Sequence, residues 1–201
     1  MKKKSGTKEL GSRFSRALTL AVEWHGAQTR KGVPIPYMSH LMSVSAIVME
    51  HGGSEDEAIA ALFHDALEDA PDAVEAANRE ALMREEFGDT VAAIVLGCTD
   101  GKPNDGGVKA PWKVRKTAYL DAMSGKPAST LLVAGSDKLH NLTCTVRDLR
   151  RDGPETLSRF NAGAEGLAWY YGEIGRVLDE RGIPMAKEYN TLLAEFKGAL
   201  I

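Results

Sequence analysis

The sequence predicts an all-α fold, a single domain over residues 1–201 built as a bundle of about eight to ten helices. Apolar residues recur at helical spacing along most of the chain, and no sustained period-two run rich in Val, Ile and Thr is present. Stretches that contain Gly and Pro interrupt these segments at short intervals. A chain of 201 residues, of which 43% are apolar, is long enough for one hydrophobic core of ordinary size.

Each predicted helix has a local start or stop signal. Ser54 and Glu57 form a capping box at the start of the third helix, and Ser39 can cap the second. Gly52 ends the second helix, and Pro71 ends the third. A turn-rich stretch, 99–111, separates the fifth helix from the sixth and is expected to be the most mobile segment. The predicted helices cover residues 10–28, 40–51, 55–70, 75–86, 89–98, 112–124, 128–150, 155–181 and 185–198.

Composition and charge exclude several classes of partner. The formal charge of −3 argues against a nucleic-acid partner, because a phosphate backbone is bound mainly by an excess of Lys and Arg. A small anionic ligand needs only a few local cations and is therefore compatible with this net charge. The chain has no run of 18 apolar residues for a membrane span, and the basic MKKKSG start lacks the apolar segment of a signal peptide. Cys98 and Cys144 lie in apolar contexts and are expected to be reduced, in a cytoplasmic protein.

The stretch FHDALEDA, residues 63–70, places four groups that can bind a metal or move a proton in an otherwise apolar helix. His64 and Glu68 are four residues apart, as are Asp65 and Asp69, so each pair is expected to stack on one helix face. The alternative is a solvated acidic helix end with one polar histidine. Because the cluster directly follows the apolar IAALF, part of it is expected to be buried, and a divalent cation would satisfy several carboxylates at once.

Two other predicted helices contribute matching polar residues. His40 begins the second helix, and Asp137 lies mid-helix directly after the apolar LLVAG, with Asn141 four residues later. Together with His64 and Asp65 they form a set of two imidazoles and two carboxylates. Such a set suits Mn²⁺, Fe²⁺ or Zn²⁺ better than Ca²⁺, which prefers oxygen ligands alone.

This H…HD…D pattern resembles the HD-domain metal-dependent phosphohydrolases. TRKGVPIPYMSH, AIAALFHDALEDA, FGDTVAAIVLGCTD and SDKLHN also follow one another as in the hydrolase half of the RelA/SpoT-type alarmone enzymes. The chain is most similar to the stand-alone small alarmone hydrolases, including the Mesh-type enzymes. The resemblance covers roughly residues 12–150, and the helices of 151–201 are expected to pack on that core. A synthetase domain would not fit in the remaining chain, so a hydrolase alone is expected.

The resemblance implies the chemistry of the site. It implies a (p)ppGpp 3′-pyrophosphohydrolase that releases pyrophosphate and GDP or GTP and uses one Mn²⁺, held by the four ligands above. Glu68 and Asp69 look like the catalytic acidic pair, which orients water or accepts its proton. Glu68 is assigned the larger role because it shares the predicted face of His64. Asn141 is expected to orient substrate or water.

Cations are expected around the substrate phosphates. Arg30 and Lys31 match a basic pair that contacts the nucleotide in the family, although such a pair in a loop is usually a solvated surface feature. Lys138 follows the ligand Asp137 and is expected to reach a phosphate. Ala134 stands where the family often has a lysine, which bears on substrate choice more than on the metal site. Further candidate phosphate contacts are Lys102, Lys109, Arg115, Lys116 and Arg147.

Three alternatives remain open at this stage. The same chemistry could act on adenosine alarmones, (p)ppApp, or on the 2′-phosphate of NADPH, as in Mesh-type relatives. A nucleotide-binding regulator without catalysis would lack a ligand or an acid, and none is missing here. Trp169, Tyr170 and Tyr171 are interpreted as core or as the face of a homo-oligomer, and His25 and His140 as packing residues.

Overall fold

Helices make up nearly all the regular structure in the computed structural model, which describes residues 9–99, 110–160 and 162–200. In these segments the one β-type pairing is an isolated bridge between Thr29 and Pro36. The prediction of an all-α fold is confirmed. Over the same residues no helix is both long and apolar enough to span a bilayer. The helices are α1 (Ser12–His25), α2 (Met38–Glu50), α3 (Glu55–Phe63), α4 (Ala73–Phe87), α5 (Asp89–Cys98), α6 (Trp112–Met123), α7 (Ala128–Asp152), a 3₁₀ helix (Pro154–Arg159), α8 (Gly163–Glu180) and α9 (Ala186–Gly198).

The short helix α3 lies in the middle of the molecule. It packs against α1, α2, α5 and α7, and its residues from Ala58 to Phe63 are all buried. α2 also packs against α7, while α8 and α9 pack on α7 and on each other. Consequently, α2 and α7, which carry His40 and Asp137, are direct neighbours of each other and of α3, which His64 and Asp65 directly follow.

The third helix is shorter than the sequence predicts. It ends at Phe63, and residues 64–69 form a series of turns, so the prediction of a helix that continues to Pro71 is wrong. The ring of His64 lies at the break. Its Nδ1 lies 2.8 Å from the carbonyl oxygen of Ala61, the acceptor that the next backbone amide would use in a continued helix.

The start of the second helix also differs from the prediction. α2 begins at Met38, with Tyr37 at the N-cap position, so Ser39 lies inside the first turn instead of capping the helix. The backbone amide of Ser39 bonds to the carbonyl of Pro36 at 3.0 Å. The capping box of α3 is confirmed: the amide of Glu57 donates to Ser54 Oγ, and the amide of Ser54 donates to the Glu57 carboxylate.

The long helix predicted over residues 155–181 is divided in two. The 3₁₀ helix ends at Arg159, and the extended backbone of Phe160, with ψ of 126°, breaks the helical path. α8 then begins at Gly163, whose φ of +62° favours glycine. The break turns the chain back toward α7, against which both the 3₁₀ helix and α8 pack.

Gly97 of α5 lies against Thr130 in the first turn of α7. A Cβ atom on Gly97 would lie 2.7 Å from Cγ2 and 3.0 Å from Oγ1 of Thr130, which is 2% exposed and β-branched. We therefore expect Gly97→Ala to lower the free energy of unfolding by about 1–3 kcal/mol through overpacking. Urea denaturation measures this change.

Gly172→Ala in α8 is the matched control. The nearest atom that its Cβ would meet outside the local chain is Nζ of Lys197, at 3.7 Å, an ordinary contact. Because alanine is the better helix former, this variant is expected to keep or raise the free energy of unfolding, by up to about 1 kcal/mol. Equal effects of the two substitutions would contradict the packing argument.

Candidate active site

Three of the predicted ligands come together where α2 and the end of α3 meet. One donor atom from each of His40, His64 and Asp65 lies within 4.8 Å of the other two. Nε2 of His64 is 2.9 Å from Oδ2 of Asp65. The two histidines are only 2% and 3% exposed, so this polar cluster lies within the apolar packing of the helices.

Asp137 brings a fourth group from the middle of α7. Its Oδ1 lies 3.2 Å from Nε2 of His40 and 3.7 Å from Nε2 of His64. Asp137 is buried, as are the residues of α7 that precede it from Thr130 onward. Two imidazoles and two carboxylates from α2, α7 and the turns that follow α3 are therefore gathered in one place.

The orientation of both imidazoles fits a metal site. Nδ1 of His64 donates to the carbonyl of Ala61, which leaves Nε2 for a metal or a proton. That Nε2 is buried and faces the carboxylates of Asp65 and Asp137, but in residues 9–99, 110–160 and 162–200 it makes no hydrogen bond of good geometry. His40 likewise uses Nδ1 for a contact with His140 and turns Nε2 toward Asp137. Mixed nitrogen and carboxylate donors of this kind fit a divalent transition metal ion.

Burial and ion pairing oppose each other in this cluster. Burial alone would lower the pKa of His64, but the carboxylates of Asp65 and Asp137 raise it well above its ordinary value. Burial alone would also raise the pKa of both carboxylates. The imidazole of His64 holds the pKa of Asp65 below its ordinary value, and Lys138 together with the two histidines does so for Asp137. Both carboxylates therefore stay ionised, and the proton on His64 balances part of their charge.

Tyr37 holds Asp65 in place, although it is not among the site residues predicted from the sequence. Its hydroxyl donates a hydrogen bond to Oδ2 of Asp65. Burial raises the pKa of the Tyr37 hydroxyl and the Asp65 charge raises it further, so the phenol keeps the proton that it donates. Its spacing in the sequence could have identified it, because Tyr37 lies three residues, about one helical turn, before the predicted ligand His40.

The predicted acidic pair lies beside the cluster on an open wall. Glu68 and Asp69 are exposed, and both line a cavity of 210 Å³ that the side chains of His64, Asp65 and Asp137 also line. We call it the acidic cavity. The sequence predicts that this pair shares a continuous helix face with the ligands, but residues 64–69 form turns. The pair lies next to the ligands because both line the same cavity.

Asp69 is also tied to α1. Nε2 of Gln28 donates to Oδ2 of Asp69 at 2.8 Å, and Oε1 of Gln28 lies 2.7 Å from Nδ1 of His25. His25 is buried, and burial lowers its pKa. The side chain of Asp69 is thus positioned by a hydrogen bond outside the cluster.

Asn141 and Lys138 connect the cluster to the predicted nucleotide contacts. Nδ2 of Asn141 donates to Oδ1 of Asp137 at 2.5 Å, while its Oδ1 accepts a bond from Nη2 of Arg30 at 2.9 Å. Nζ of Lys138 lies 2.6 Å from Oδ2 of Asp137. Burial alone would lower the pKa of Lys138, but Asp137 raises it well above its ordinary value, so this lysine stays charged.

A second cavity, of 340 Å³, lies on the other side of these residues. Arg30, Lys31, Lys116 and Arg147 line it, and we call it the basic cavity. Tyr170 and Tyr171 also line it, although both are buried as the sequence analysis expected. The residues that line both cavities are Tyr37, Lys116, Lys138 and Asn141.

The remaining candidates are distributed as follows. Nε of Arg115 donates to the carbonyl of Ala110 at 3.1 Å, and this residue lines neither cavity. Lys102 and Lys109 lie outside the described residues. Ala134, at the position where the family often has a lysine, lines the acidic cavity.

His140, interpreted from the sequence as a packing residue, lies directly behind His40. Its Nδ1 is 2.7 Å from Nδ1 of His40 and 3.3 Å from Nη1 of Arg30. Arginine can only donate, so Nδ1 of His140 is the acceptor in both contacts and His40 donates to it. Burial, with the nearby His40 and Arg30, lowers the pKa of His140 to about 3, which keeps this acceptor neutral.

Comparison with known proteins places this chain in a family. A family model described as HD domain matches residues 17–163. A Danio rerio protein, guanosine-3′,5′-bis(diphosphate) 3′-pyrophosphohydrolase MESH1, is 33% identical over 141 residues, which are 69% of this chain and 69% of that protein. A GTP pyrophosphokinase of Streptomyces coelicolor is 33% identical over 147 residues, 73% of this chain. The chain spans only 16% of the length of that relative.

Two solved structures share the fold. The structure of lmo0812 from Listeria monocytogenes EGD-e has a TM-score of 0.64 at 27% identity, over 77% of this chain and 96% of that one. A metazoan ortholog of SpoT that hydrolyses ppGpp has a TM-score of 0.57 at 22% identity, over 87% and 98% of the two chains, and this likeness concerns the fold alone. The chain therefore belongs to the HD-domain family and is a homologue of the MESH1 and RelA/SpoT-type proteins, as its motifs predict.

Proposed function

We propose that this protein is a metal-dependent (p)ppGpp 3′-pyrophosphohydrolase that releases pyrophosphate and leaves GDP or GTP. One observation carries the proposal: the acidic cavity, which His64, Asp65 and Asp137 line, shares four wall residues with a basic cavity, which His40 lines. A cation in the first and a polyphosphorylated nucleotide in the second would meet at this shared wall. The similarity to the MESH1 hydrolase of Danio rerio supports this substrate class.

His40, His64, Asp65 and Asp137 would hold one Mn²⁺. Their mixed nitrogen and oxygen donors are compatible with this ion, and the resemblance to the alarmone hydrolases favours it over Fe²⁺ and Zn²⁺. When bound, such an ion supplies Lewis-acid chemistry for transfer of a phosphoryl group to water. Tyr37 would keep the carboxylate of Asp65 in its orientation through the hydroxyl bond.

In the proposed reaction, water attacks the phosphorus attached to the ribose 3′ oxygen. The bond between that phosphorus and the 3′ oxygen breaks, pyrophosphate leaves, and the 3′ oxygen takes up a proton. Glu68 would accept the proton of the attacking water, since its carboxylate lines the same cavity as the ligands. Asp69, held by Gln28, would orient the water.

Four residues at the boundary would bind the substrate. Lys138 and Asn141 line both cavities and contact Asp137, so they would hold the scissile diphosphate next to the ligands. Arg30 and Lys31 line the basic cavity and would contact the nucleotide. Because Arg30 also bonds to Asn141, substrate binding and the position of Asn141 would be linked.

The first prediction from the proposed function concerns activity and its metal dependence. Protein loaded with Mn²⁺ is expected to release pyrophosphate from ppGpp, and a chelator should abolish the release. Asp65→Ala or Asp137→Ala is expected to lower kcat/KM about 100-fold or more, because several kcal/mol of transition-state stabilisation depend on the bound ion. Pyrophosphate release and bound manganese are measured in parallel.

Asp121→Ala on the exposed face of α6 is the control and should leave both quantities unchanged. The same panel includes ppApp and NADPH, so the substrate preference is measured directly. Absence of release from ppGpp, with manganese confirmed in the protein, would refute the proposed function.

The second prediction concerns His140. Because it accepts the bond that orients His40, His140→Ala is expected to weaken Mn²⁺ binding by about 10- to 100-fold. His140→Gln keeps an acceptor and should recover part of the loss. Mn²⁺ affinity, from electron paramagnetic resonance of the free ion, is the measurement. His51→Ala, at the end of α2, is the matched histidine control, and an equal loss in that variant would sink the assignment.

The third prediction concerns pH. The pKa of His64 lies well above 6.5 in the absence of metal, so a bound cation must displace its proton. Protonated His64 predominates below this raised pKa, and the affinity for Mn²⁺ should therefore fall as the pH decreases. We expect release of about one proton per ion near pH 7, and an affinity that weakens about tenfold per pH unit. Calorimetry in two buffers of different ionisation enthalpy measures the proton release; an uptake of protons would contradict the prediction.

A further inference from the structure

Part of the wall of the basic cavity is formed by arginines that the metal cluster does not use. Arg147 and Arg151 of α7 and Arg159 of the 3₁₀ helix line it, around the carboxylate of Asp148. The arginine nitrogens lie 4.0, 3.4 and 2.5 Å from that carboxylate, respectively. Arg151 also pairs with Asp152 at 2.5 Å. Three guanidinium groups thus face two carboxylates, which leaves one positive charge in excess.

Arg159 is held in place on several sides. Its Nη2 donates to Oδ2 of Asp148, which is buried, and its guanidinium carbon lies 4.9 Å from the centre of the Phe160 ring. Gly32, next to Lys31, is close enough that a Cβ atom there would lie 3.8 Å from Cδ of Arg159. The side chain of Arg159 is only 22% exposed. A guanidinium fixed in advance loses little entropy when it binds an anion.

The charge of the cavity indicates a polyanionic ligand. Among its lining residues, all within the described segments, Asp148 is the one carboxylate, whereas the cations also include Arg30, Lys31, Lys116 and Lys138. The whole chain has a formal charge of −3, so this concentration of positive charge is local. Arginine forks match phosphate oxygens in geometry as well as in charge.

We propose that Arg159, assisted by Arg147, binds the 5′-phosphates of the nucleotide whose 3′-diphosphate lies at the metal cluster. The inference rests on the proposed function, because it takes the substrate to carry phosphates at both ends of the ribose. Tyr37, Lys138 and Asn141 line both cavities, so a nucleotide bound across them presents one end to each. The 5′-phosphates are then a determinant of substrate choice that acts away from the bond being broken.

The test varies the 5′ end of the substrate and keeps the 3′ end constant. Guanosine 3′-diphosphates with two, one or no 5′-phosphates are compared by kcat/KM for pyrophosphate release on the manganese-loaded protein. The wild-type protein should lose activity as 5′-phosphates are removed. Arg159→Gln should lower kcat/KM about 10- to 100-fold for ppGpp, but less than about twofold for the substrate without 5′-phosphates. Arg147→Gln should show the same pattern with a smaller loss, since this side chain is more exposed.

Arg150→Gln is the matched control. Arg150 is a neighbouring arginine of α7 that pairs with Glu195 and does not line the cavity, so the same change in charge should leave the substrate ranking unaltered. The 5′-phosphate subsite is refuted if Arg159→Gln and Arg147→Gln lower kcat/KM by one common factor on all three substrates. The subsite is also refuted if the wild-type protein has the same kcat/KM for all three substrates. Arg147→Gln keeps the test informative if loss of the bond to Asp148 unfolds the Arg159 variant.

A failure of the proposed function gives a different result. In that case the wild-type protein releases no pyrophosphate from any of the three substrates. The dissociation constants of GDP and guanosine, measured by calorimetry, then test the subsite on its own. Arg159→Gln should raise the dissociation constant of GDP about 10-fold or more and leave that of guanosine unchanged. Equal changes in the two dissociation constants would overturn the subsite.

Discussion

Asp65 and Asp137 carry negative charge into the packed interior of a helical protein, and the rest of the site depends on how that charge is balanced. Buried carboxylates are costly unless they are paired and hydrogen-bonded. Here the neighbouring imidazole of His64 takes a proton, and Lys138 lies 2.6 Å from Asp137. The same arrangement that balances the charge with a proton can balance it with a divalent cation. Stability of the core and affinity for metal therefore arise from one set of contacts.

The surroundings of this cluster divide the site into two parts of opposite charge. Glu68 and Asp69 make one cavity acidic, and arginines and lysines make the adjoining one basic. Opposite fields on the two sides of a shared wall suit a substrate whose diphosphate must approach both a cation and basic side chains. Asn141 lies at that wall, with one bond to Asp137 and one to Arg30, and so couples the two parts geometrically.

Bonds from outside the ligand set fix the orientation of the ligands themselves. The Ala61 carbonyl fixes His64 at the end of α3, and the Nδ1 atom of His140 fixes His40. Such outer contacts orient the ligands, and the loss of one typically lowers metal affinity about 10- to 100-fold. The bond to Ala61 lies where residues 64–69 leave the helical path, and it points Nε2 of His64 into the cluster.

The sequence by itself determined the helical class, the capping box of α3 and the identity of the four candidate ligands, because helical period, caps and polar residues in apolar segments are local patterns. It failed where two segments distant in sequence meet. His140 looks like a packing residue until α2 and α7 lie side by side. Tyr37 gains its role only where the start of α2 meets Asp65, and Arg159 gains its proposed role only when the 3₁₀ helix returns to Asp148. The end of α3 at Phe63 was not predicted either, since no Gly or Pro marks it in the sequence. These features depend on contacts across the fold, and only the tertiary structure decides which side chains face one another.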